Sequence, residues 1–425
     1  MCIRDSTYAA RRALFGNTYA YPKSRFIEEL PSLEILESDS VPLARPAGGR
    51  WREVAIHESA GAGVHLGLEA GDRVRHPKWG EGCIDNIVGA GGDGLVTIDF
   101  PNVGQKLSLI HICTDDVSRA FIVVLTYLRL NPGDRLSARL ASIYLSFLVH
   151  AQMEDGRFHN FMDYDRRWSD EVGTPDSCGR AIWALGYGLA NAPSPPWRRV
   201  CAAALDRALP TVGSLGHIRS RAYAAIGLAH AYTAVKDSKY ADALRSLADE
   251  LRNAYEATAS NDWQWFENAM FYDNARLCEA MIRAGRALSE PRFHEVGLRT
   301  LAFYEKVTTE NGVHVPVGNQ GWYYHGGHRA RYAQQPLEAC AMVKAELAAF
   351  DLTGDVGHFA SAELAMEWYY GKNSRGIVMA QGGGCCDGLE EDAVNTNMGA
   401  ESTLALLAAA YALALRRERV LRAVR

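Results

Sequence analysis

The sequence predicts a mainly α protein, an (α/α)6 toroid of six helical hairpins, preceded by a small β-barrel fragment. Three observations predict the toroid. From about residue 113 onward, apolar residues recur at three- and four-residue spacing in one stretch after another. The stretches come as hairpins of roughly 40–50 residues per pair, which is the length scale of helical repeats. The loops alternate between short and long, and the long ones are rich in aromatics, glycine and carboxylates, which fits a closed toroid better than an open solenoid. The barrel rests on short β-type runs separated by Gly-rich turns between residues 70 and 106.

Bulk composition sets the outer limits. At 425 residues, two or three domains are expected. Hydrophobic content of 48% and charged content of 22% are ordinary for a globular chain. A net charge of −5 leaves no overall basic footprint for nucleic acid. Nine cysteines are scattered without a CxxC pair, which predicts reduced thiols in a cytoplasmic setting. No apolar run reaches the ~18 residues of a membrane span. Residues 404–415 are apolar but short, and Arg416-Arg417 follows them, so they predict a buried helix. No cofactor and no membrane partner are expected.

The chain opens Met1-Cys2-Ile3-Arg4-Asp5-Ser6, and Leu107-Ser108-Leu109-Ile110-His111-Ile112 closes its first quarter. The first hexapeptide can be written ATG TGT ATA AGA GAC AG. The reverse complement of that string begins CTG TCT CTT ATA CAC AT and reads Leu-Ser-Leu-Ile-His-Ile or Met. One DNA string, similar to the transposon end used as a sequencing adapter, thus encodes both hexapeptides on its two strands. Residues 1–6 and 107–112 are expected to be adapter-like scars that belong to neither fold. The remaining fragments, about 7–106 and 113–425, are each read alone.

The first fragment changes character along its length. Residues 7–31 are polar and aromatic, and residues 32–69 carry Pro42, Pro46 and Gly48-Gly49 and read as a linker. Residues 70–106 hold the barrel, with strands expected at 83–88 and 95–100. Arg73, Arg75, Lys78 and Trp79 form a basic-aromatic strip suited to a partner, although a solvated charged face is the competing reading.

In the second fragment, helices are expected near 115–130, 134–154, 176–191, 196–209, 219–236, 239–258, 265–288, 291–310, 336–353, 358–370 and 399–420. Start signals support several: Ser238 before Lys239, Asp176-Ser177 before Ala181, and Gly354-Asp355 between two helices.

Function is expected where long loops cluster polar and aromatic groups. One cluster runs from Gly156 to Trp168 and on through Asp170, Asp176 and Ser177 to Arg180. A second runs from Asn261 to Arg276, a third from Pro316 through Trp322 to Glu338, and a fourth from Gly383 to Ser402. Such clusters suit carbohydrate, whose C–H faces stack on aromatics and whose hydroxyls pair with polar side chains. Glycoside cleavage adds a requirement for two carboxyls flanking the bond. The expected pair comes from Glu267, Asp273, Glu338 and Glu401. Glu338 follows Gln335-Pro336 into a first helical turn, and Glu401 is placed similarly after Gly399. Asp163, Asp165, Arg166 and Arg276 are expected to orient hydroxyls, with Trp265 and Trp322 as stacking platforms. Asp176, Asn319, Gln335, Asp387 and Asn397 complete the expected substrate-binding set. Acidic residues at helix starts are also common caps, so bracing is the competing role for each carboxylate. His325-Gly-Gly-His328 lacks a third ligand, and no metal site is expected.

Two resemblances follow from longer strings. Thr7-Tyr8-Ala9-Ala10-Arg11-Arg12-Ala13-Leu14-Phe15-Gly16, and residues 22–31, resemble the C-terminal end of UvrD/PcrA-type superfamily 1 DNA helicases. Residues 71–82 and 100–104 resemble that family's Tudor-like (SH3-like) barrel. The resemblance implies an interaction surface, with RNA polymerase or DNA as partner of residues 7–106 only. The family's phosphate loop, Mg²⁺-binding motif and arginine finger are absent from this fragment, so no helicase or ATPase activity is expected of it. Across 113–425, the strings FHNFMDYDRRW, DWQWFENAMFYDNARL, GNQGWY, QQPLEACAMV and NTNMGAESTLA resemble the helical region associated with bacterial family-4-type glycosyltransferases. That region is similar in architecture to six-hairpin glycosidases, and the resemblance implies a separate or fused glycosyltransferase domain as partner. The leading expectation is a toroid that binds a glycan, with hydrolysis open to a carboxylate pair. The alternatives are a noncatalytic carbohydrate-binding or scaffold toroid, and a helicase-derived interaction module.

Overall fold

The computed structural model describes residues 11–14, 17–20, 73–76, 80–88, 95–100, 104–107, 112–163 and 166–423. Asp165, Lys78, Trp79, the linker at 32–69 and residues 1–6 lie outside the described residues.

Arg73–His76, Gly80–Val88, Leu95–Phe100 and Gly104–Leu107 form a four-stranded antiparallel sheet in that order. Arg73 and Arg75 therefore sit on its first strand. The second strand starts at Gly80, ahead of the expected 83, and a register shift between Ile84 and Asn86 kinks it. Leu107, the first residue of the second hexapeptide, closes the last strand opposite Thr97. Ile112, its final residue, pairs with Met162 in a different sheet. Arg11–Leu14 and Asn17–Ala20 form a hairpin in a stretch that the sequence marked only as polar and aromatic.

From Thr114 on, eleven helices follow among the described residues. They are α1 (Thr114–Leu130), α2 (Arg135–Ala151), α3 (Pro175–Asn191), α4 (Pro195–Ala208), α5 (Ile218–Val235), α6 (Ser238–Thr258), α7 (Ala275–Leu288), α8 (Pro291–Thr308), α9 (Pro336–Thr353), α10 (Val356–Glu367) and α11 (Ala400–Ala423). Their ends are chemically marked. Asp134 caps α2 by accepting from the Ser137 N–H at 2.8 Å, and Asp355 caps α10 by accepting from Gly357 at 2.8 Å. Gly354, at φ +75°, makes the left-handed turn between α9 and α10.

The odd-numbered helices form the inner ring. Each packs on the next, and α11 returns to α1, so the ring closes. The even-numbered helices lie outside, each against the inner helix that precedes it. Burial separates the two layers. Every residue of α9 from Pro336 to Ala349 is buried. The outer helix α6 buries only Tyr240, Ala241, Leu244, Leu247, Ala248, Leu251 and Tyr255, a stripe at helical spacing. The tightest seam joins α3 and α5. A Cβ on Gly186 would lie 2.1 Å from the Gly227 carbonyl oxygen, and one on Gly179 would lie 2.4 Å from that of Ser220. Small residues seven apart on both helices let the backbones approach this closely.

One boundary departs clearly from the periodicity. Helix α7 begins at Ala275, not near 265. Ala269–Met270 instead pairs as a strand with Tyr323–Tyr324. Asp273 takes a left-handed φ of +48°, which a helix interior does not admit. The aromatics of 265–272 imitate a helical period while forming a loop over the ring.

Candidate functional site

Ion pairs between successive inner helices show that their first turns converge at one end of the ring. Arg180 on α3 reaches Asp115 on α1 at 2.7 Å and Asp273, just ahead of α7, at 3.5 Å. Arg119 on α1 holds Asp115 and Asp116, each at 3.0 Å, and Glu401 on α11 at 2.5 Å. Tyr223 on α5 donates to Asp273 at 2.7 Å and accepts from Arg180 at 2.7 Å.

The four expected catalytic carboxyls come to this end but are differently engaged. Glu338 is 1% exposed. It accepts from the backbone N–H of Asp273, from that of Asn274 at 3.2 Å, from the Asn274 amide at 3.2 Å and from the Tyr304 hydroxyl at 2.9 Å. It is the cap of α7, supplied by α9. Burial, reinforced by Asp273, pushes its pKa up to about 7. Asp273 is clamped by Tyr223, Arg180 and, at 3.3 Å, Arg276. Glu401 is tied to Arg119, and burial raises its pKa against that cation. Glu267 pairs with Arg219 at 2.8 Å and keeps part of its side chain open.

Two cavities occupy this end. The larger, about 570 Å³, is lined by Arg219, Arg221, His217, Glu267, Phe271, Tyr272 and Trp322, with Gly216 and Ile218. Trp322 stands at φ +57°, with its ring edge-to-face on Phe271 at 6.0 Å between centroids. Arg219 donates to the Tyr272 carbonyl, and its guanidinium lies 4.9 Å from the Tyr272 ring. The Tyr272 hydroxyl donates to Asp176. This cavity, called the mouth below, combines aromatic faces with an arginine–carboxylate pair. The second cavity, about 30 Å³, lies on the ring axis and is walled by α1, α3, α7, α9, α11 and Asp273.

The remaining expected residues are scattered. Trp265 is fully buried, stacked on Tyr304 at 5.5 Å and edge-to-face with Phe266, so it has no open face for a sugar. The expected platform is corrected to a core residue, because its loop folds inward onto α8. Arg276 lines the axial cavity and pairs with Asp273 and Glu279. Asp387 accepts from Asn397 at 2.5 Å and from the Gly399 N–H at 2.8 Å, so both brace the turn into α11. Asp163 closes its own turn by accepting from the Arg167 N–H at 2.8 Å, and Arg166 is exposed at φ +65°. Asn319 is half-buried in the loop that carries Trp322, its N–H bonded to Ala333 at 3.1 Å. Gln335 is the half-buried residue preceding α9. His325 sits 3.2 Å from Asp262 and stacks on Trp263.

Arg119, Arg219, Tyr223 and Lys344 were missed as site residues, and Arg180 was read only as the end of the first polar cluster. A signal was present for Tyr223 and Lys344, polar groups embedded in otherwise apolar helical stretches, whereas Arg119 and Arg219 sit among other polar residues and do not stand out.

Comparison with known proteins separates the chain into two parts. Residues 70–111 match the PcrA/UvrD tudor domain. The ATP-dependent DNA helicase PcrA of Bacillus subtilis is 34% identical over 110 residues, which cover 24% of this chain and 15% of the helicase. UvrD1 of Mycobacterium leprae is 32% identical over 119 residues, covering 25% of this chain and again 15% of that protein. The chain thus spans about a seventh of the length of these relatives. Among solved structures, the cellobiose 2-epimerase of Bacillus thermoamylovorans superposes with a TM-score of 0.56 at 12% identity, over 73% of this chain and 89% of that one. A sugar epimerase from a ruminal bacterium gives 0.55 at 13% identity, over 71% and 88%. The GH76 α-mannanase of Bacteroides thetaiotaomicron gives 0.51 at 11%, over 73% and 88%. At these identities the likeness establishes the fold. The chain joins a segment that matches the PcrA/UvrD tudor domain to a helical toroid that shares the fold of these sugar epimerases and the mannanase.

Proposed function

We propose that the toroid binds a glycan at the mouth, with sugar faces against Phe271, Tyr272 and Trp322 and hydroxyls paired to Arg219 and Glu267. The observation that carries this reading is the 570 Å³ cavity that sets these aromatic rings beside a charged pair. Its size is that of a small-molecule site, within the usual ~300–1,000 Å³. The sugar epimerases and the mannanase that share the fold are named for work on carbohydrates, which supports the same ligand class.

Binding is better supported than hydrolysis. Cleavage requires a protonated acid and a second carboxyl across the bond. Glu338 has the raised pKa of an acid, but both its oxygens are occupied in capping α7. Asp273 and Glu401 are held by arginines. Glu267 alone of the four lines the mouth.

The test is calorimetric titration of the full chain with gluco- and manno-oligosaccharides. Binding that falls at least ~10-fold in Arg219→Met is expected, as for loss of a charged hydrogen bond. No heat with any sugar in the panel overturns the reading. Release of reducing ends that disappears in Glu267→Gln would add hydrolysis to it.

A further inference from the structure

We propose that the axial cavity receives the carboxylate of an acidic sugar, with Lys344 as its principal counter-ion and Arg276 and Arg180 beside it. This deepens the glycan reading by naming the substrate class, and it rests on that reading for the sugar.

Size limits the occupant first. A volume of about 30 Å³ holds roughly two waters, enough for a carboxylate group and too little for a sugar ring. A ring must therefore stay outside, with only a small substituent entering. The charge of the lining selects that substituent. Arg119, Arg180, Arg276 and Lys344 line the cavity against a single carboxylate, Asp273.

Lys344 is the unusual member. It is 9% exposed, on a helix buried along its whole first half. Each of the three arginines has a carboxylate partner. Among the described residues, none forms a hydrogen bond or ion pair with the Lys344 ammonium, which lies over the Trp183 ring at 4.3 Å. Glu279, the carboxylate that acts most strongly on it, is engaged by Arg276 and Arg283, each at 2.7 Å. A buried ammonium without an anion is costly, and lysine is otherwise rarely buried unpaired. Burial lowers its pKa to about 8, so at neutral pH it is still charged. An entering carboxylate would complete the missing pair in a site where apolar walls strengthen the attraction.

Chain connectivity links the two cavities. Phe271 and Tyr272 line the mouth, and the next residue, Asp273, lines the axial cavity. Consecutive Cα atoms are ~3.8 Å apart, so the two linings adjoin along the chain at this step.

The experiment titrates the full chain with glucuronate, glucose and acetate, in wild type and in Lys344→Met, which keeps side-chain length without charge. Glucuronate is expected to bind wild type at least tenfold more tightly than glucose, with Lys344→Met reducing it to the level of glucose. The same substitution is expected to raise the melting temperature, because it removes an unpaired buried charge. Glucuronate binding no more tightly than glucose overturns the inference and leaves the glycan reading standing. Glucuronate preference retained in Lys344→Met overturns the assignment to this cavity. No sugar binding, with acetate raising the melting temperature of wild type alone, removes the sugar and leaves the cavity to free carboxylates.

Discussion

The axial cavity and the mouth are lined by adjacent residues, Asp273 and Tyr272, and are built by opposite means. The axial cavity is walled by five inner helices, and each of its charged groups except Lys344 has an ion-pair partner. The mouth is walled by the loop at 267–272, by Trp322 and by the start of α5. Helix side chains enclose the first, whereas loop residues border the second. A change at the axis should therefore appear first as lost stability, and a change at the mouth as lost binding.

The largest effect is expected from Glu338→Ala. It leaves the Asp273 and Asn274 amides and the Tyr304 hydroxyl without their acceptor, at a cost of about 3–5 kcal/mol in urea unfolding. A loss below ~1 kcal/mol would show that α7 does not depend on this cap. Its titration sharpens the point. The folded pKa, about 7, lies above the ordinary 4.5, so the native state binds more protons between these values. Stability from this group is present below pH 4.5 and declines as pH rises toward 7. The stability difference between wild type and Glu338→Gln, which does not titrate, should fall across that window; a flat difference would contradict the assignment.

Gly227→Ala comes next. Its Cβ would lie 2.5 Å from both the Ile182 carbonyl oxygen and the Trp183 Cα, so backbone must move, at about 1–3 kcal/mol. Thermal unfolding measures it, and an unchanged midpoint would mean that the α3–α5 seam is softer than it looks. Trp322→Gly should have the smallest effect on stability, within ~0.5 kcal/mol, since glycine accepts the left-handed backbone there. It should nevertheless weaken sugar binding about 3–10-fold, the worth of one aromatic contact. If it instead unfolds the protein while affinity survives, the division between axis and mouth fails.

The sequence was most legible where one force dominated. Helix α9 could be read to both ends because Pro336 starts it, Gly354 stops it and, before Asp351 and Thr353 in its last turn, only Glu338, Lys344 and Glu346 interrupt its apolar run. Helix α7 was read as starting too early because 265–272 carries aromatics at helical spacing, and the left-handed Asp273 leaves no mark in the sequence. The carboxyls at the helix starts were visible, but their partners were not. Glu338 and the Asp273 amide are 65 residues apart, and only folding shows that one caps the other. Trp265 and Trp322 look alike in sequence; which one faces the cavity depends on how two loops fold over the ring.

Closure of the ring also dictates when the axial cavity can exist. Arg119 and Glu401 meet across 282 residues of chain, and α11 supplies part of the cavity wall. Closing so long a loop costs entropy before any contact repays it. A nascent chain that has already folded its first five inner helices still has an open seam where this wall belongs. The cavity wall is complete only once α11 is in place, so a tightly bound carboxylate would report that the last inner helix has docked.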